Sequence, residues 1–144
     1  MKINTAASGH MGPVKNGNAE WLSYQPAQAT QLRMLERAMN IINSNIKGSR
    51  PCNRAFSALP NGRSFDDVFN DDSIWISYCP DNDDYGFTNR VSGSEITICQ
   101  LAFRWGYWTV VGTLVHEMAH TNGAPIDTHA AEGTLRVGLA NATS

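Results

Sequence analysis

His116-Glu117-Met118-Ala119-His120 sets two imidazoles four residues apart, with a carboxylate beside the first. On an α-helix, residues four apart share one face about one turn from each other, so both rings can reach a single zinc ion at about 2.0–2.1 Å. Glu117, one position round from the two ligands, can hold a water at the metal and take its proton, while zinc brings the pKa of that water towards about 7. The outcome is a hydroxide-like nucleophile aimed at a polarised carbonyl.

The helix around the motif has room for such a site. At about 100° per residue, Trp108, Val111, Val115, Met118 and Ala119 are expected on one side, and His116 and His120 share another with the small residues Thr109, Gly112 and Thr113. Catalytic zinc sites take three protein ligands and keep a fourth position open, so a third ligand is expected downstream, beyond the turn at Gly123. His129, nine residues after His120, is favoured. Asp127, seven residues on, and Glu132, twelve on, are the alternatives. Asp127 has a competing use as the N-cap of the following helix, and Glu132 as a helix-face carboxylate or a partner that orients a ligand histidine.

The run from Val110 to Pro125 resembles the active-site helix of the zincin metallopeptidases, and His116-Glu117-x-x-His120-x-x-Gly123 resembles their metzincin branch. The chain departs from metzincins at Ile126, where that branch carries its third histidine. Asp127 instead resembles the short-spaced aspartate of aspzincin-like effector proteases, and Gly123-Ala124-Pro125 with His129-Ala130-Ala131-Glu132 is similar to small bacterial peptidases. The likeness covers about residues 95–140. It implies a zincin-like α+β domain: a few-stranded antiparallel or mixed sheet, an N-terminal backing helix, the H-E-x-x-H helix and a short C-terminal helix. It also implies an antiparallel strand along the cleft, for which Glu95 to Cys99 is the expected segment. The implied activity is hydrolysis of a peptide or protein substrate, a peptidoglycan peptide included, by an effector-like metalloprotease. A reading of another class is a non-catalytic module in which a fourth protein ligand closes the zinc site.

The elements that must position these residues can be read from periodicity. Leu32, Leu35, Met39, Ile42 and Ile46 recur at helical spacing between Pro26 and Lys47, with Gly48 placed to end the helix. Residues 48–72, with Pro51, Pro60 and Asn61-Gly62, read as loop with a short helical turn at Phe65–Phe69. Ile74–Cys79 and Glu95–Cys99 alternate as strands, and 80–93 reads as a polar loop between them. Helical spacing returns from about Trp105 to His120, and a last helix is expected from Thr128 to about Leu139, weakened by Gly133 and Gly138. Residues 1–20, rich in Gly and polar side chains, are expected to be a flexible lead-in to a single domain at 21–144.

Within the loop, Asp81-Asn82-Asp83-Asp84-Tyr85-Gly86 has Tyr85 and Ser92 where a calcium loop needs oxygen ligands, so an acidic turn is the better reading. Where that turn borders the cleft it favours basic substrates. Tyr78, Tyr85 and Tyr107 are candidate donors to an oxyanion.

The bulk properties agree with a packed enzyme-sized domain. A chain of 144 residues buries roughly 68–70 per cent of its unfolded surface on folding, and 42% apolar with 17% charged residues supplies an ordinary core. A net charge of −2, with eleven scattered Lys and Arg, leaves no footprint for nucleic acid. No apolar run approaches the 18 residues of a membrane span, and no classical export signal is read, which leaves the compartment open between the cytoplasm and a non-classical secretion route. With no coiled-coil or exposed apolar stripe, a monomer is expected. Cys52, Cys79 and Cys99 are too few and too far apart for a cysteine-rich zinc cluster; they read as buried small residues or as one disulfide.

Overall fold

The computed structural model describes residues 1–13, 22–126 and 130–143. In chain order the elements are β1 (Lys2–Ile3), α1 (Ala29–Ile41) with a π-helical turn (Ile42–Ile46), α2 (Arg50–Ser57), α3 (Phe65–Phe69), β2 (Trp75–Cys79), β3 (Gly86–Thr88), β4 (Glu95–Cys99), α4 (Gln100–Trp105), α5 (Tyr107–Thr121) and α6 (Ala130–Thr143). The class is α+β, with six α-helices and a four-stranded mixed sheet among the described residues. None of these helices is long and apolar enough to cross a membrane.

The strands lie in the order β1-β2-β4-β3. β1, β2 and β4 run parallel, and β3 returns antiparallel along the outer side of β4. Glu95–Cys99, expected as the cleft strand, is therefore interior, and all five of its residues are buried. The strand at the edge beside β4 is β3, which lies inside the expected polar loop. Three residues between Tyr85 and Asn89 are too short to show alternation, and what makes them a strand is tertiary: β4 on one side and α5 on the other. A Cβ at Gly86 would stand 2.7 Å from the Thr97 carbonyl oxygen and 2.8 Å from Thr113 Cγ2, so only glycine lets β3 close on both.

Of the expected flexible lead-in at 1–20, the first residues are built into the fold, and residues 14–20 lie outside the described residues. Lys2 and Ile3 pair with Trp75 and Ile76. The Met1 ammonium donates to the Phe69 carbonyl at 2.7 Å, and Asn4 Nδ2 to Ser77 Oγ at 3.1 Å. His10 stacks on Trp75 with ring centroids 4.1 Å apart, and its Nε2 meets the carboxylate of buried Glu95. Burial raises the Glu95 pKa, and His10 pulls it back.

α1 buries Leu35 and Ala38, and the π turn buries Ile42 and Ile46. The wider turn is visible as Lys47 N–H donating five residues back to the Ile42 carbonyl at 2.9 Å. α2 falls where loop was expected, because Pro51 sits in the first turn of a helix, where a missing N–H costs nothing. Ser49 caps it, accepting from Cys52 N–H at 3.3 Å, and Cys52 and Phe56 one turn apart face the core. α3 begins at the cap Ser64, which accepts from Asp67 N–H at 3.1 Å.

α5 is the centre of the molecule. Val110, Val111, Leu114, Val115, Met118 and Ala119 are all fully buried, as expected for a helix covered on most sides. Gly106, with φ 105°, separates it from α4. On α6, Gly138 faces Val115, where a Cβ would come within 3.0 Å of Val115 Cγ1, and Gly112 of α5 faces Leu135. The intrinsically weak glycine at 138 therefore brings the two helices close.

Candidate metal centre

α5 ends in a Schellman motif. Ala124 N–H donates to the Ala119 carbonyl at 2.9 Å, Gly123 N–H donates to the His120 carbonyl at 3.1 Å, and Gly123 takes the left-handed conformation with φ 93°. The turn carries the Ala124 carbonyl back over the last helical residues, where it accepts from His120 Nδ1 at 2.8 Å. A carbonyl only accepts, so Nδ1 holds a proton, and Nε2 is the nitrogen whose lone pair is left for a metal.

That lone pair points at the other histidine. His120 Nε2 and His116 Nε2 are 3.2 Å apart, with the rings nearly perpendicular at 80°. Two ligands of a tetrahedral zinc with bonds of about 2.0–2.1 Å stand about 3.3–3.4 Å apart. The pair therefore has the spacing that a shared metal ion requires. With Glu117, the ligand atoms all lie within 4.8 Å of one another, the one such group of His, Cys, Asp and Glu among the described residues.

Glu117 is 4% exposed. Its Oε1 accepts from Thr88 Oγ1 at 2.9 Å, so edge strand β3 holds the carboxylate beside the two imidazoles. Burial is the largest influence on its pKa, and with the nearby charge of Asp84 it raises the group to about 6; the Thr88 hydrogen bond and His120 pull the other way. A carboxyl in that range is suited to taking and returning a proton near neutral pH.

Two hollows meet at this group. The larger, about 720 Å³, runs along α5 towards α6 and is lined by Tyr85, Trp108, Gly112, His116, Glu117 and Leu135 among others. The smaller, about 200 Å³, lies on the β3 side against Thr88, Arg90, His116, Glu117, His120 and Ile126. Asp84 lines both. Trp108, expected on the apolar side of α5, stands instead at the cleft and is 41% exposed. The reason is the row of residues four apart, 108-112-116-120, which drifts only about 40° per step and so keeps Trp108 near the histidine face.

Of the three candidate tyrosines, Tyr85 lines the larger hollow. Tyr78 donates to Gln100 Oε1 at 2.6 Å, and the Tyr107 ring lies under Arg37 at 3.8 Å; neither lines either of these two hollows. In the acidic turn, Asp81 Oδ1 accepts from Asp83 N–H at 2.9 Å, an aspartate closing its own turn. Thr88, Gly86 and Trp108 were not among the residues picked out for the site. Asp127 and His129 lie outside the described residues, as does the side chain of Glu132, so the third-ligand position rests on sequence.

No family model, no curated protein and no solved structure matches the chain.

Proposed function

We propose that this protein is a zinc-dependent hydrolase of peptide bonds, with His116 and His120 as ligands, Glu117 as general base, and His129 as the third ligand, Asp127 or Glu132 being the alternatives. The observation that carries the reading is the pair of Nε2 atoms 3.2 Å apart, one of them fixed as a lone pair by the Ala124 carbonyl, beside a buried carboxylate at an open cleft. A zincin-like arrangement is supported by edge strand β3 flanking the motif helix and by α6 following it.

Bound zinc would polarise the scissile carbonyl and acidify the attacking water. Thr88 holds Oε1 of Glu117, which leaves Oε2 as the atom that takes the proton of that water. The water oxygen bonds to the carbonyl carbon, the C–N bond breaks, and Glu117 returns the proton to the leaving amine. Tyr85 is the donor assigned to the oxyanion. Asp84, which lines both hollows, favours a substrate with a cationic side chain next to the cleaved bond.

The test is elemental analysis and peptide hydrolysis by the wild type beside His116→Ala, His120→Ala and Glu117→Ala. The expected result is one zinc per wild-type chain, lost with either histidine, and kept without hydrolysis in Glu117→Ala. Full turnover by Glu117→Ala would falsify the mechanism, and failure of the wild type to take up zinc would remove the metal. Among Asp127→Ala, His129→Ala and Glu132→Ala, one metal-losing variant names the third ligand; two would point to a closed, structural site.

A further inference from the structure

Cys79 ends β2 and Cys99 ends β4, and the parallel register sets the two directly opposite each other. Neighbouring strands are about 4.7–4.9 Å apart, inside the Cα–Cα span of about 4.4–6.8 Å that a disulfide bridges. Cys79 lies near enough to Cys99 to raise the pKa of its thiol. Cys52 belongs to a different layer, on α2 beside Asp66. All three are free thiols and buried.

We propose that Cys79 and Cys99 form a disulfide that staples the base of the segment bordering the cleft. The chain between them, 80–98, contains Asp84, Tyr85, Gly86 and Thr88. Cys99 N–H also donates to the Tyr85 carbonyl at 2.9 Å, so the end of β4 already holds the residue that lines the larger hollow. A covalent bond at this point closes a loop around β3 and narrows the positions open to the cleft rim, whether or not the site binds zinc.

The oxidant is a small disulfide such as glutathione disulfide. In the folded chain Cys79, 6% exposed against 0% for Cys99, is the thiol that meets it first. Its thiolate attacks one glutathione sulfur and releases one glutathione thiolate, which takes up the proton that Cys79 lost. The Cys99 thiolate then attacks the Cys79 sulfur and expels the second glutathione, so two protein thiols give two electrons and two protons to one glutathione disulfide. Burial, the Cys79 sulfur and the carboxylates of Asp84 and Asp81 hold the Cys99 thiol well above its ordinary pKa, which makes the second step slow in the folded chain. The bond therefore forms most readily during folding.

The experiment refolds the full chain from urea in a buffer of reduced and oxidised glutathione, with free thiols then alkylated and the peptides mapped by mass spectrometry. The expected product is monomeric, carries a Cys79–Cys99 linked peptide, and alkylates only at Cys52. Cys52→Ser should form the same bond, while Cys79→Ser and Cys99→Ser should each keep two alkylatable thiols. Three free thiols after refolding at an oxidising ratio, or a bond that includes Cys52, would overturn the pairing. Amide exchange over 80–98 should slow about tenfold in the oxidised chain; equal exchange in both redox states would overturn the stapling.

Discussion

His120 and Ala124 are joined by a hydrogen bond of 2.8 Å from the imidazole Nδ1 to the backbone carbonyl, and the helix cap at Gly123 creates it. The cap that ends α5 thus also fixes which nitrogen of His120 is free for a metal. Outer partners of this kind are worth about 10–100-fold in metal affinity. At Gly123→Ala, a left-handed alanine costs about 1–2 kcal/mol, and its Cβ would stand 2.9 Å from Asn61 Oδ1 and 3.0 Å from Asn61 N. The expected outcome is a loss of about 10–100-fold in zinc affinity, read by competition with a chromophoric chelator, although no ligand is changed. Unchanged affinity would mean that the cap does not set the ligand.

Thr88 is a positioning residue for Glu117. Thr88→Val keeps the shape and removes the hydroxyl that donates to Oε1. A hydrogen bond to a charged group is worth about 1.5–3 kcal/mol, which predicts a fall in kcat of about 10–100-fold with zinc content unchanged. Because that donation lowers the Glu117 pKa, its loss should move the acid limb of the pH–rate profile to higher pH. Thr88→Ser should restore both. A Thr88→Val enzyme with the wild-type profile would sink the assignment.

How much of this was legible in the sequence follows from how local each feature is. The His116-Glu117-x-x-His120 spacing and the strands at 75–79 and 95–99 depend on periods of 3.6 and 2, and the structure shows those elements. β3 and Thr88 depend on contacts with β4 and α5 that no local pattern encodes. β1 depends on pairing with β2 more than seventy residues away, and the polar composition of residues 1–13 gave no sign of it. Pro51 misled because the same residue that breaks a helix interior also opens a helix.

Asp84 lines both hollows, with Arg90 in the smaller one, and is the carboxylate proposed to favour a cationic side chain. A partly solvated charge pair is worth about 1 kcal/mol, or roughly fivefold. Against peptides that differ only by lysine or norleucine beside the cleaved bond, Asp84→Asn should lower the kcat/KM ratio by about that factor. Added salt should shrink the wild-type preference in the same direction. An unchanged ratio would remove Asp84 from specificity.

Asp71 should make stability depend on acid. Ser73 Oγ donates to Oδ1 at 2.6 Å and Arg63 Nη1 to Oδ2 at 2.8 Å, and these contacts, Ser73 foremost, hold the carboxyl below its ordinary value of 3.8. The unfolded chain therefore binds the proton more readily, so the stabilisation is complete above about pH 5 and is lost as pH falls through 3.8 and below. Arg63 also donates to the Thr121 carbonyl at 3.3 Å, which ties this pair to the end of α5. With both side chains partly exposed, the gap between wild type and Asp71→Asn should be about 1 kcal/mol or less at neutral pH and should shrink steadily as pH falls below 3.8, by urea denaturation. A gap that widened in acid would contradict the sign.

Two glycines of α6 should respond oppositely to the same substitution. Alanine is favoured over glycine in a helix by about 0.8–1.0 kcal/mol. At Gly133 a Cβ meets nothing within 4 Å, so Gly133→Ala should stabilise the protein by close to that amount. At Gly138 the added carbon would sit 3.0 Å from Val115 Cγ1, on a fully buried residue of α5 with little freedom to move. Overpacking of this kind costs about 1–3 kcal/mol, which exceeds the helix-propensity gain, so Gly138→Ala should be neutral to destabilising. Paired urea or thermal denaturation of the two variants checks the contrast, and equal stabilisation by both would show that α6 does not press against α5 at Val115.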